Sequence, residues 1–217
     1  ATKTKHLSPG MVKLPTGKMS SRSGNVLTGE WILDEAKKLL KSKFIEMSHD
    51  TLEKVAVGSV KYALLKSSIG HDIEFDFEES INIQGNSGPY LQYTFARTQS
   101  VLSKVKNYIS FARRPLAKLE TEEVLLLRAL NRFPEVVGEA GDLPAMQDGK
   151  ALQAGKLAPN LLCNYLFDLT QKFNLFYQKH KILGSDQENF RLALTNGVGQ
   201  VIKKGLYLLG ISGPERM

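Results

Sequence analysis

An all-α helical bundle is predicted by three observations. Apolar residues recur at three- and four-residue spacing through most of the chain after Thr28, helix-start residues stand ahead of several of those runs, and only one short stretch alternates as a strand would. Trp31, Ile32, Ala36, Leu39 and Leu40 mark the first helix, with Lys37, Lys38, Lys41 and Lys43 between or after them. Asp50 and Glu53 resemble a capping box, and Val55, Ala56, Val60, Ala63 and Leu64 form the buried stripe of a second helix over 52–65. Ile73, Phe75 and Phe77 alternate with Glu74 and Asp76, so this piece is extended, with its phenylalanines in the core.

Gly85-Asn86-Ser87-Gly88-Pro89 reads as a turn handing over to a helix that opens on proline and runs to about Tyr108. Residues 121–133 and 134–141 read as two shorter helices divided at Pro134, followed by a loop to about Leu157. Pro159 opens a long helix through Tyr177, and Asp186 caps another through Leu209. Residues 1–27 differ: Pro9, Gly10, Pro15, Gly17 and Gly24 interrupt them too often for a useful helix. The expected division is therefore a loop-rich stub, 1–27, read as the edge of another domain, and a helical body, 28–217.

The 217 residues are 42% hydrophobic, ordinary for a globular chain. No apolar run reaches the roughly 20 residues that span a bilayer, and no secretory leader is visible, so a cytoplasmic protein is expected. One cysteine, Cys163, excludes an internal disulfide and reads as a small buried hydrophobe among Leu161, Leu162 and Leu166. His6, His49, His71 and His180 lack ligand spacing, and no metal is expected. The net charge of +7 suits a polyanionic partner as well as a plain solvated surface.

Two groups of residues carry chemistry. Thr16 to Gly24 combine glycines, hydroxyls and the cations Lys18 and Arg22, a composition able to close over a polyphosphate and equally that of a solvated turn. On the helix after Pro89, Tyr90, Tyr93 and Arg97 share one face, where unstacked bases could lie against the rings and a phosphate or base edge against the cation. The same spacing suits tyrosines packed in a core with their hydroxyls wet. Asn86 and Gln92 add amides near the helix start, able to read a base or to cap the turn.

In order along the chain, His6-Leu7-Ser8 to Met11-Val12, Leu14-Pro15 with Gly17 to Arg22, Val57-Gly58 with Lys61-Tyr62-Ala63, Gly85-Asn86 with Pro89 to Tyr93 and Arg97, and Leu209-Gly210-Ile211 with Pro214 to Met217 resemble the C-terminal portion of arginyl-tRNA synthetase. The resemblance covers essentially the whole chain and implies a class Ia synthetase, which activates arginine with magnesium-bound ATP and transfers it to its tRNA. The body would be the anticodon-binding domain of that class. Lys18, Met19, Ser20, Ser21 and Arg22 would correspond to the family's Lys-Met-Ser-Lys-Ser loop, with Lys18, Ser20 and Arg22 in the catalytic role. Ser21 departs from that pattern, because a hydroxyl cannot replace the second lysine's charge.

Asn86, Tyr90, Gln92, Tyr93, Arg97, Tyr177 and the terminal Met217 would fall where relatives meet the anticodon loop, Met217 through a polarizable thioether. Lys61, Lys104 and Lys106 would steer the RNA backbone. The expected partners are arginine tRNA and, through the Rossmann domain whose His-Ile-Gly-His signature this sequence does not carry, ATP and arginine. The chain by itself is expected to be a monomer, to hold no cofactor and not to aminoacylate. A synthetase-derived helical adaptor without catalysis is the alternative, and Lys18-Met19-Ser20 argues against it. The cysteinyl and methionyl enzymes share the loop but should lack the block from Asn86 to Arg97.

Overall fold

The structure is a computed structural model that describes residues 10–15, 28–44, 47–105, 118–141, 146–147, 150–151 and 157–217. Along the chain run β1 (Val12–Lys13), α1 (Gly29–Lys43), α2 (His49–Leu65), β2 (Ile73–Glu74), α3 (Phe77–Ser80), α4 (Gly88–Leu102), α5 (Thr121–Ala140), β3 (Met146–Gln147), β4 (Lys150–Ala151), α6 (Pro159–Lys179) and α7 (Glu188–Leu208). The two strand pairs are minimal: β1 lies parallel to β2, and β3 is antiparallel to β4. The architecture is all-α.

Helix starts follow local chemistry where a short polar side chain is available. Thr28 Oγ1 accepts from the Trp31 N–H ahead of α1, and Ser87 Oγ accepts from the Tyr90 N–H ahead of α4. Pro89 stands second in α4, after Gly88, where its missing N–H is still among the unpaired first-turn groups. Asp50 does not cap α2: Ser48 does, accepting from the Thr51 N–H, and Asp50 instead pairs with Lys54 one turn on. Asp186 does not cap α7 either. That helix begins after Gln187 without a side-chain cap, and is held from outside by Glu123 of α5, which accepts from Arg191 in its first turn.

The expected break at Pro134 is absent, since α5 is one helix of 20 residues with the proline inside it. Leu126 and Ala129 before Pro134 and Val136 after it are all buried in the same core, so burial of both halves offsets the lost backbone bond. Ile73–Glu74 is extended as expected, pressed against β1, and Phe75 is buried, but Phe77 opens the short helix α3 and is only half-buried. The pairing of β1 with β2 ties residues 12–13 to the helical body.

A large core joins α4, α5, α6 and α7 with Tyr62 of α2, centred on Phe95, Leu126, Leu166, Phe173 and Leu206. A smaller one joins α1 and α2 through Ala36, Leu40, Val55, Ala56 and Ile81. The two meet where α2 crosses α4 at backbone contact. A Cβ on Gly88 would collide with the Gly58 carbonyl oxygen, so no larger residue fits there without moving a helix. Cys163 is buried in the large core, and burial pushes its thiol up to about 12, which leaves it a packed hydrophobe.

Candidate nucleic-acid interface

Tyr93 and Arg97 are one turn apart on α4, and α6 crosses beside them so that Tyr177 reaches the same cation. The Arg97 Cζ lies 5.0 Å from the ring centroid of Tyr93 and 5.0 Å from that of Tyr177. Each such contact is worth about 0.5–1 kcal/mol at an exposed site and more when water is excluded. Together with Ser100, Glu215 and Met217, these side chains line an open groove of about 800 Å³. Tyr177 is 39% and Met217 37% exposed, so both present apolar surface to whatever enters.

The tail is folded back to reach the groove. Gly210 adopts φ +68, a left-handed conformation suited to glycine, and turns the chain after α7. The Ile211 N–H donates to Leu206 O at 2.8 Å, and Lys61 Nζ donates to Gly210 O at 2.5 Å. Gln92 Nε2 donates to the carbonyls of Ser212 at 2.7 Å and of Lys54 at 2.9 Å. Leu209 and Ile211 are buried. The tail is thus held up to Ser212, and Met217 lies five residues beyond it at the groove.

Four of the seven residues expected to meet RNA, Tyr93, Arg97, Tyr177 and Met217, come together at the groove. The other three have different surroundings. Gln92 is 0% exposed, its Nε2 is committed to two backbone carbonyls and its buried Oε1 has no partner among the described residues, so here it staples α2, α4 and the tail and offers no exposed group to a base. Asn86 is half-buried, and its Oδ1 accepts from the Tyr62 hydroxyl at 2.6 Å, which fixes the turn before α4. Tyr90 is turned against α6, its ring edge-on to Phe167 at 5.6 Å. It backs the groove and does not line it.

Asn174 was not singled out by sequence reasoning. It is 9% exposed, its Oδ1 accepts from Arg97 Nη1 at 2.6 Å, and its Nδ2 donates to the Tyr90 hydroxyl at 2.9 Å and to Thr94 Oγ1 at 3.1 Å. Its place three residues before Tyr177 was the available signal, since that spacing puts both on one face of α6. Lys61 serves the tail, while Lys104 is exposed just beyond α4. Lys106 and the loop Lys18, Met19, Ser20, Ser21 and Arg22 lie outside the described residues. Among the described residues no cluster of three metal-ligating side chains occurs, and no helix is long and apolar enough to cross a membrane.

The chain is similar to the arginine--tRNA ligases of Flavobacterium psychrophilum, at 36% identity over 98% of this chain and 35% of that protein, and of Ignicoccus hospitalis, at 36% identity over 98% and 33%. Among solved structures it is similar to the arginyl-tRNA synthetase of Thermus thermophilus, with TM-score 0.81, 26% identity and coverage of 98% of this chain and 35% of that one. The arginyl-tRNA synthetase of Plasmodium falciparum shares the fold, with TM-score 0.70 at 20% identity over 96% and 34%. The chain spans about a third of the length of these relatives. The model of the DALR anticodon binding domain matches residues 91–217, which include the groove-lining residues of α4, α6 and the tail, and the chain belongs to that family.

Proposed function

We propose that this chain binds the anticodon region of an arginine tRNA, as the anticodon-binding part of a ligase that joins arginine to that tRNA. One observation carries the reading: three separate segments deliver two tyrosines, a guanidinium and a terminal methionine to a single groove. Such a set suits single-stranded nucleotides, whose exposed bases stack on aromatic faces while cations meet phosphates or base edges. A duplex would offer its bases no such access.

The groove residues divide the work. Tyr93, Tyr177 and Met217 supply apolar surface for bases, Arg97 supplies charge, and Tyr90, Gln92 and Asn86 hold the elements that carry them. Arginine and magnesium-bound ATP would be substrates of the whole protein, with Lys18 to Arg22 as its ATP loop, a role that rests on the sequence resemblance. The protein would work in the cytoplasm as a monomer.

The test is filter binding of the 217-residue chain to arginine tRNA beside the same tRNA with an altered anticodon. Preference for the native anticodon is expected, and Tyr93→Ala should cost about 1–3 kcal/mol of that affinity if the ring stacks a base. Equal binding of both tRNAs by folded protein would overturn the reading.

A further inference from the structure

Arg97 is anchored to α6 by a neutral group. Among the described residues no carboxylate pairs with it, and the acceptor that holds it is the Asn174 amide oxygen, 2.6 Å from Nη1. A carboxylate in that position would hold the cation more strongly and cancel its charge. An amide holds it and leaves the charge for a ligand.

The other half of the amide explains why the orientation is fixed. Asn174 Nδ2 donates to the Tyr90 hydroxyl and to Thr94 Oγ1, and Thr94 Oγ1 in turn donates to the Tyr90 carbonyl. Both ends of the side chain are therefore specified and a flip would set donors against donors. Asn174 is nearly buried, so those bonds are poorly replaced by water.

Arg97 is also engaged by the rings of Tyr93 and Tyr177. Stacking a base on the guanidinium would have to compete with two rings already there, whereas among the described residues most of its five N–H donors are uncommitted along the edge.

We infer that Asn174 is the positioning residue of the groove: its amide fixes the Arg97 guanidinium so that the remaining N–H edge is offered to an acceptor oxygen of the bound RNA. This rests on the RNA-binding reading of the groove. The oxygen belongs to a phosphate or to a base, and the two sources separate by their response to salt.

The experiment is a double-mutant cycle on the 217-residue chain, with arginine tRNA as the probe at several salt concentrations. Arg97→Ala is expected to weaken binding about tenfold or more, as loss of a hydrogen bond to a charged group implies. Asn174→Ala should weaken it about fivefold, and by less than twofold when Arg97 is already Ala, because coupled residues are not additive. Asn174→Asp keeps the size of the side chain but pairs the cation, so it should weaken binding; because it gives up both bonds from Nδ2, its folding is verified by urea unfolding before affinity is read. It also carries the test if Asn174→Ala loses its fold.

With Asn174→Asp, a salt slope shallower by about 0.7 assigns the oxygen to a phosphate. An unchanged slope with the same loss assigns it to a base. Wild-type affinity in both Asn174 variants while Arg97→Ala is weakened would overturn the positioning role and leave the groove reading intact, as would full additivity in the cycle. Wild-type affinity in Arg97→Ala would overturn Arg97 as an RNA contact, and the positioning role with it.

Discussion

Arg191 Nε lies 2.9 Å from Glu123 Oε1, and the Glu123 side chain has no exposure at all. The pair joins the first turn of α5 to the first turn of α7, while Glu123 Oε2 accepts from the Glu120 N–H and Arg191 Nη1 donates to Lys181 O. Both charges are thus hydrogen-bonded on more than one side, the condition under which burial of an ion pair is tolerated.

Arg191→Met should destabilise the chain by about 3–5 kcal/mol, since it leaves Glu123 buried without its counter-charge. Adding Glu123→Leu should recover part of that loss, short of the capping bond to Glu120. Urea unfolding midpoints of the single and double variants read the result. A double variant less stable than Arg191→Met alone would show that the capping bond outweighs the ion pair.

Glu122 beside it is only 12% exposed and is paired across to the end of α6. Lys179 first, and then His180, hydrogen-bond its carboxylate and hold it down at about 2. The folded value lies below the ordinary one, so the folded chain binds this proton less readily than the unfolded chain does. The stabilisation is fully present above the unfolded value near 4.5 and is lost as pH falls through about 2. Melting temperature should therefore fall between these values more steeply for the native sequence than for Glu122→Gln. Parallel curves would remove Glu122 as a contributor to acid sensitivity.

Most helix positions were legible because burial patterns repeat at helical spacing, as at Ala36 and Leu40 or Leu162 and Leu166. The boundaries were less so, because several residues near one start compete for the cap: Ser48 takes the α2 cap and leaves Asp50 for Lys54. Pro134 failed as a breaker because a proline's local cost is outweighed by packing on both sides, which no local pattern reports. Arg97 with Tyr93 could be read from a four-residue spacing on one helix. The inward turn of Tyr90 could not, because it depends on where Phe167 of α6 lies. The surroundings of Gln92 were illegible for a related reason: an amide is equally suited to a base edge and to a backbone carbonyl, and the carbonyl of Ser212 reaches it only through the return of the tail past α4.

That return yields the last prediction. Gln92 donates to one carbonyl on α2 and to another on the tail, so Gln92→Ala leaves two acceptors without this donor and should cost about 1–3 kcal/mol of stability. A larger effect should appear at the chain end, because Ser212 is the tail's link to α4 and Met217 lies only five residues beyond it. Carboxypeptidase should release Met217 faster from Gln92→Ala than from the native chain, and affinity for arginine tRNA should fall with it. Removal of Met217 from the native chain should reproduce the affinity loss without the stability loss, since Met217 lines the groove and is outside the buried core. If the Gln92 variant is trimmed at the native rate, the bonds from Lys61 to Gly210 and from Ile211 to Leu206 suffice to hold the tail, and Gln92 serves only to join α2 to α4.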